Sequence, residues 1–288
     1  MTKNAKDREV IHFTKMHGIG NDYIYINCME SSPERLPELA REMSDRHMGV
    51  GGDGIVLICP SDIADFRMRM FNNDGSEARM CGNASRCIAK YVHDHNLSHK
   101  DMISLETLSG VKALSLNMEG DTVASVTVDM GEPSLEKEAI PVIAASDRVI
   151  ESRVDTPYGP VYVTAVSMGN PHGVIFVNSI EEVPFDKLGP YMERHEMWPD
   201  RANIEFAQIL TPEVIRMRVW ERGTGETLAC GTGACATAVA AAITGRAGRD
   251  VTLKLRGGDL RIRWADNGHI LMTGPATEVF EGSYIRNA

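Results

Sequence analysis

The sequence predicts an α+β fold of two similar lobes, on three observations. Segments recur at an offset of 149 residues, runs with the two-residue rhythm of strands dominate each half, and one small-residue helix follows a cysteine in each half. The offset is the separation of Cys81 from Cys230. It lays "RMRMF" (67–71) on "RMRVW" (216–220), Glu77 on Glu226, and "IGNDYIYI" (19–26) on "MGNPHGVI" (168–175). Asn21 and Asn170 each precede their cysteine by 60 residues. With small deletions, "MGEP" (130–133) finds a partner in "MTGP" (272–275). Internal duplication follows, giving two pseudosymmetric lobes. The N-terminal lobe is 1–128 plus 276–288 and carries Cys81. The C-terminal lobe is 129–275 and carries Cys230.

Within the first lobe, "IHFTKMH", "YIYIN", "IVLIC" and "FRMRMF" alternate or run apolar with β-branched and aromatic residues, as strands do. "LPELAREMSDRH" (36–47) has helical spacing. "GNASRCIAKYVHDHN", after Cys81, repeats apolar residues at three and four. "GTGACATAVAAAITGRAG", after Cys230, is an Ala-rich helix closed by Gly245. Strands follow both: "VKALSLN" and "TVASVTVDM", then "VTLKL", "LRIRW" and "HILMTG". Each lobe is thus expected to be a mostly antiparallel sheet wrapped around a central helix. "TEVFEGSYI" lies beyond the repeat and is expected to complete the first lobe's sheet.

Composition narrows the function. A chain of 288 residues, 43% hydrophobic, builds a real core. Its net charge of −10 argues against a nucleic-acid partner, which needs a basic face. "MTKNAKDREV" is too polar for a secretory signal, and the apolar run 234–243 is too short to span a bilayer, so no membrane partner is expected. Six cysteines without a C-x-x-C pair suggest reduced thiols in a cytoplasm and no zinc site.

Each of Cys81 and Cys230 sits just before a helix. Free backbone N–H groups and the helix dipole there favour negative charge, so both thiols are expected to ionise more easily than usual. The glycine after each lets the backbone approach a ligand, and the remaining N–H groups suit a carboxylate. One such thiol would be a nucleophile. Two, placed by duplication, suit a stereoinversion: one sulfur takes a proton from a carbon and the other returns one to the opposite face. The ordinary alternative for a cysteine is a small buried hydrophobe. Cys28, Cys59, Cys87 and Cys235 are read that way.

The segments "MHGIGNDYIYIN", "DRHMGVGGDGIVLI", "FNNDGSEARMCGNASRC", "SMGNPH", "NIEF" and "WERGTGETLACGTGACA" resemble the diaminopimelate epimerases, among the cofactor-independent amino-acid racemases and epimerases. They occur in family order over nearly the whole chain. The resemblance implies interconversion of LL- and meso-2,6-diaminopimelate, in lysine and peptidoglycan precursor biosynthesis, with no pyridoxal phosphate, no other cofactor and no metal. It implies a site in the cleft between lobes, and a homodimer. It makes Cys81 and Cys230 the acid/base pair. It places carboxylate binding at Gly82 with Asn83 and at Gly231 with Thr232, and contacts to the distal amino-acid end at Asn72, Asn203, Glu221 and Arg222. Asn21 and Asn170 match further substrate contacts, and His172 and Glu221 match residues that orient or tune the thiols. Some members carry glutamine where this chain has Gly54, which is therefore left out of the site.

Chemistry suits these assignments. A guanidinium is a planar fork for a carboxylate, and asparagine both donates and accepts, as a zwitterion requires. Taken singly, Asn21, Asn72 and Asn203 could be turn residues, Glu221–Arg222 a solvated pair, and His172 a satisfied loop histidine. Three rivals remain. "GVGGDG" (49–54) spells a dinucleotide fingerprint, but a helix precedes it and a strand follows, the reverse of what that motif needs. Proline and hydroxyproline racemases carry histidine after the first Cys-Gly, where this chain has Asn83. A non-catalytic amino-acid-binding module would need no paired thiols.

Overall fold

The computed structural model describes residues 8–287. Most of the polar N-terminal stretch judged unfit as a signal lies outside them. The chain divides into two compact units, one running to Val128 and resuming at Pro275, the other Asp129–Gly274.

The first unit opens with β1 (Arg8–Gly18) and β2 (Asn21–Asn27), antiparallel neighbours. Their turn holds Ile19 at φ 50° and Gly20 at φ 88°. Glycine adopts that region freely, whereas a β-branched residue is strained there. The tight turn places Asn21 at the first position of β2. Next come α1 (Leu36–Ser44), β3 (Gly54–Cys59), β4 (Phe66–Asn72), a short β5 (Glu77–Ala78), α2 (Gly82–Asp94), β6 (Met102–Thr107), β7 (Gly110–Glu119) and β8 (Thr122–Asp129). β3 lies parallel to β2 and antiparallel to β4, β6 is parallel to β4, and β6, β7 and β8 form an antiparallel meander.

The second unit repeats this order. β9 (Ser152–Thr156) pairs antiparallel with β10 (Gly159–Ser167), and β10 with β11 (Pro171–Phe176). α3 (Phe185–Glu193) follows, then β12 (Asn203–Thr211), β13 (Val214–Glu221), β14 (Gly225–Glu226), α4 (Gly231–Ile243), β15 (Asp250–Lys254), β16 (Asp259–Trp264) and β17 (Ile270–Gly274). β12 is parallel to β11, β13 antiparallel to β12, and β15 parallel to β13. The registers coincide after the 149-residue shift: Tyr23 faces Gly54 as His172 faces Asn203, and Ile55 faces Phe71 as Ile204 faces Trp220. The last strand, β18 (Thr277–Asn287), pairs antiparallel with β1, taking the place that β9 has beside β10.

Each sheet wraps its central helix. α2 packs on β1, β2, β7 and β18, and α4 on β10, β11, β12, β15, β16 and β17. α4 is buried on nearly every side, which explains its run of Ala234, Ala236, Ala238, Ala240 and Ala241. The other face of each sheet is covered by a shorter helix. α1 buries Leu36, Leu39 and Met43 against Ile24, Ile55 and Leu57. α3 buries Phe185, Leu188 and Met192 with Ile204 and Phe206. At about 1.5–3 kcal/mol for each fully buried large apolar side chain, these faces hold the shorter helices in place.

α3 carries Pro190 inside it, a residue that normally breaks a helix. Packing overrides the breaker. Gly189 lies so close to the Trp220 ring that a Cβ there would sit 2.9 Å from it. Among the described residues no helix is long and apolar enough to cross a membrane.

Candidate active site

Cys81 and Cys230 occupy the same position in the two units, the residue before the first turn of the central helix. Both have extended backbones, φ −138° and φ −118°, with Gly82 and Gly231 opening α2 and α4. The strand–turn segment before each thiol is clamped alike. Arg69 bonds Glu77 through Nε at 2.8 Å and its terminal nitrogen at 3.1 Å, and Arg218 bonds Glu226 at the same two distances. This bidentate geometry anchors the segment that delivers each cysteine to its helix.

The surroundings of the two sulfurs differ. Cys81 is half-buried, and its Sγ donates to Asn21 Oδ1 at 3.4 Å. Asn83 Nδ2 donates to the same oxygen at 3.3 Å. Cys230 is buried. Its Sγ accepts from the Gly233 N–H at 3.3 Å and lies 3.6 Å from Thr232 Oγ1. A thiol at a helix start was expected to ionise easily; Cys230 does the opposite. Burial pushes it well above the usual thiol range, and the Glu221 and Glu205 carboxylates push the same way. The Thr232 and Gly233 donors oppose this but do not overcome it.

Glu205 belongs to a chain of polar groups inside the second unit. Its Oε1 lies 2.7 Å from His172 Nδ1, and both side chains have no exposure. His172 Nε2 lies 3.0 Å from Asn170 Oδ1, and Asn170 Nδ2 donates to Thr232 Oγ1 at 3.4 Å. The chain thus runs from Glu205 through His172, Asn170 and Thr232 to Cys230. Asn203, buried, donates from Nδ2 to the Pro171 carbonyl at 3.1 Å and accepts the Arg222 backbone N–H at 3.0 Å. The Arg222 side chain is exposed and reaches the Asp200 carbonyl at 3.3 Å. Glu221 Oε1 accepts from the Thr227 hydroxyl.

The second unit therefore gathers Asn170, His172, Cys230, Gly231 and Thr232 directly, with Asn203, Glu221 and Arg222 alongside. The first unit gathers Asn21, Cys81, Gly82 and Asn83. Asn72 faces Gly54 across β3 and β4, and its amide donates to Ser76 Oγ at 3.1 Å. A Cβ on Gly54 would lie 2.1 Å from the Phe71 carbonyl oxygen, so no larger residue fits there without backbone movement. Cys87 and Cys235 are buried inside their helices, while Cys28 and Cys59 lie at the strand ends far from Asn21 and Gly54.

Two polar residues of these networks escaped the sequence pattern. Glu205 sits between Ile204 and Phe206 in a fully buried stretch of strand, and a lone acid in such a run is the signal that could have found it. Asp53, whose carboxylate accepts from Asn21 Nδ2 at 2.7 Å, lies within "GGDG", where that partner is not readable. Among the described residues, the side chains placed to hold a metal ion are His95, Glu278 and Glu281. His95 follows α2 at its far end, roughly 20 Å along the helix from Cys81.

The family described as "Diaminopimelate epimerase" matches residues 13–136 and 164–279. A diaminopimelate epimerase of Methanococcus maripaludis (strain C6) is 52% identical over 94% of this chain and 98% of its own length. One of Pelotomaculum thermopropionicum is 54% identical over 95% of this chain and 99% of its own. Among solved structures, a phenazine biosynthesis protein of the PhzF family from Bacillus anthracis superposes with a TM-score of 0.70 at 16% identity, covering 96% of this chain and 99% of its own. A hydroxyproline epimerase from Agrobacterium vitis superposes with a TM-score of 0.67 at 12% identity, covering 99% and 95%. Those two likenesses are of fold.

Proposed function

The chain belongs to the diaminopimelate epimerase family, and we propose that it interconverts LL- and meso-2,6-diaminopimelate with Cys81 and Cys230 as a thiol/thiolate pair, in lysine and peptidoglycan precursor biosynthesis. The observation that carries the mechanism is the placement of one cysteine at the start of each central helix, the same position twice. One thiolate takes the Cα proton and the other thiol delivers a proton to the opposite face. The helix-start N–H groups at Gly82 and Asn83, and at Gly231 and Thr232, hold the carboxylate and stabilise charge that develops on it. In the family's manner the reaction needs no pyridoxal phosphate and no metal, and runs in a cytoplasmic homodimer.

The elevated position of Cys230 fits this chemistry. A Cα–H is a very weak acid, and a thiol that ionises reluctantly becomes, once ionised, a stronger base. Glu221 then has two tasks, raising the basicity of Cys230 and facing a substrate ammonium. Arg222 offers its exposed guanidinium to the distal carboxylate, with Asn72 and Asn203 completing that end and Asn21 and Asn170 near the reacting one.

Incubation with LL-diaminopimelate in D2O tests the reading. The meso isomer should appear carrying deuterium at the inverted carbon, while proline and hydroxyproline stay unchanged. Unaltered LL-diaminopimelate without deuterium uptake would overturn it.

Arg222→Lys should lower kcat/KM by about 2–4 kcal/mol, roughly 30- to 900-fold, because a point donor cannot reproduce a bidentate fork. Unchanged kcat/KM would remove Arg222 from the site.

The pH dependence has a definite sign. Negative charge beside a thiol disfavours its thiolate, so kcat/KM should climb from neutral into alkaline pH as Cys230 ionises. Activity should fall again when both thiols are ionised, since no proton donor remains. Glu221→Gln removes one of the charges that push Cys230 up, so its acid limb should move to lower pH, as should the pH at which iodoacetamide labels Cys230. A limb and a labelling curve that do not move would show that Glu221 leaves the thiol untouched.

A further inference from the structure

We propose that Asp53 is a positioning residue for Cys81: it locks the amide of Asn21 so that the Asn21 carbonyl, not its NH2, faces the sulfur. This rests on the proposed role of Cys81 only for its catalytic meaning; the positioning itself is a matter of hydrogen bonds within the first unit.

Three donors converge on the Asp53 carboxylate. Asn21 Nδ2 donates to Oδ2 at 2.7 Å, the Asp22 backbone N–H donates to Oδ2 at 3.1 Å, and an Arg46 guanidinium nitrogen donates to Oδ1 at 3.0 Å. An ionised carboxylate only accepts. Whatever Asn21 turns toward it must be the NH2, so the other end of the amide, the carbonyl, is left for Cys81 at 3.4 Å and Asn83 at 3.3 Å. The orientation follows from the acceptor-only chemistry of the carboxylate. A carbonyl beside a thiol accepts S–H and offers nothing to a thiolate, so it favours the protonated sulfur. Titratable neighbours of Cys81 within its own unit include Tyr25 on β2 and Cys87 on α2. Burial pushes both up, Cys87 to about 11, so both stay neutral near neutral pH. Lys15, Asp22 and Arg46 form the ion-pair cluster behind Asp53.

The duplication supplies the contrast. Asn170 occupies the place of Asn21, but Ala202 stands where Asp53 would be. The partner there is His172, whose Nδ1 faces the Glu205 carboxylate. Its Nε2 lies 3.0 Å from Asn170 Oδ1, and an imidazole nitrogen is a donor or an acceptor according to the tautomer, so it does not fix the asparagine one way as a carboxylate does. Only the first unit has an acceptor-only group that sets the polarity of its asparagine.

The test is the iodoacetamide labelling rate of Cys81, read by peptide mass spectrometry near neutral pH, in wild type, Asp53→Asn, Asn21→Ala and the double variant. Asparagine or, if that variant folds poorly, serine at 53 both donates and accepts, so the Asn21 amide is free to turn. Labelling of Cys81 should then speed up at least about three-fold, because the thiolate is the reacting form. Asn21→Ala should do the same, and Asp53→Asn should add nothing in its absence, since Asp53 acts through Asn21. Loss of kcat with little change in KM should accompany the change. An unchanged Cys81 labelling rate in Asp53→Asn, or a full additional increase on top of Asn21→Ala, would overturn the proposal. Labelling needs no substrate, so failure to epimerise diaminopimelate would leave this result standing.

Discussion

Replacing Cys230 or Cys81 by alanine should remove inversion in either case, with kcat falling by roughly 10²–10⁴-fold, the usual worth of one positioned acid or base. Each sulfur serves one face of the carbon, so neither can stand in for the other. The folding cost should be small. Cys230 Sγ caps its helix by accepting the Gly233 N–H at 3.3 Å, a contact whose loss costs about 1 kcal/mol, and Cys81 provides no side-chain cap to its helix. Alanine keeps the Cβ and the helix start. Circular dichroism and urea unfolding should therefore stay close to wild type, within about 1 kcal/mol. Chiral chromatography of the product is the deciding measurement. Near-full turnover in either variant would end the two-thiol scheme, and loss of fold in both would mean the cysteines are structural.

His172→Leu should be the most destabilising single change in the site region, lowering the unfolding free energy by about 3–5 kcal/mol. The imidazole and the Glu205 carboxylate are both fully buried, 2.7 Å apart. Leucine leaves that carboxylate in the interior without its ring partner, and an uncompensated buried charge costs more than a missing pair. The first unit shows how the double change can be tolerated, since Tyr23 and Val56 stand at the matching positions and are buried there. His172→Leu with Glu205→Val should recover most of the lost stability. Urea denaturation of the two variants beside wild type checks both statements. A single variant as stable as wild type would mean that the pair does not hold the second unit together.

The architecture was legible because its signals are local or repetitive. Period-two runs such as "FRMRMF" and "LRIRW" are strands β4 and β16 whatever surrounds them, since side chains alternate faces along any strand. The 149-residue offset carries register as well as sequence, down to Tyr23 opposite Gly54 and His172 opposite Asn203. Cys81 and Cys230 could be placed at helix starts because a helix after Cys-Gly is written in the next dozen residues.

By itself, then, the sequence determined the duplication, the main strands of the first lobe, the closing strands of the second, both central helices and the position of each thiol at a helix start. Tertiary structure alone decided three things. It kept α3 helical across Pro190 by packing Gly189 against Trp220, where a burial gain outweighs one missing backbone hydrogen bond. It set the state of Cys230, which the helix-start rule put low and which burial with Glu205 and Glu221 puts high. It also chose which end of Asn21 meets Cys81, through Asp53, 32 residues away in the chain. The reason is common to all three. Local geometry follows from neighbours in sequence, but desolvation and charge depend on what the fold brings within a few ångströms, and those groups come from strands far apart in the chain.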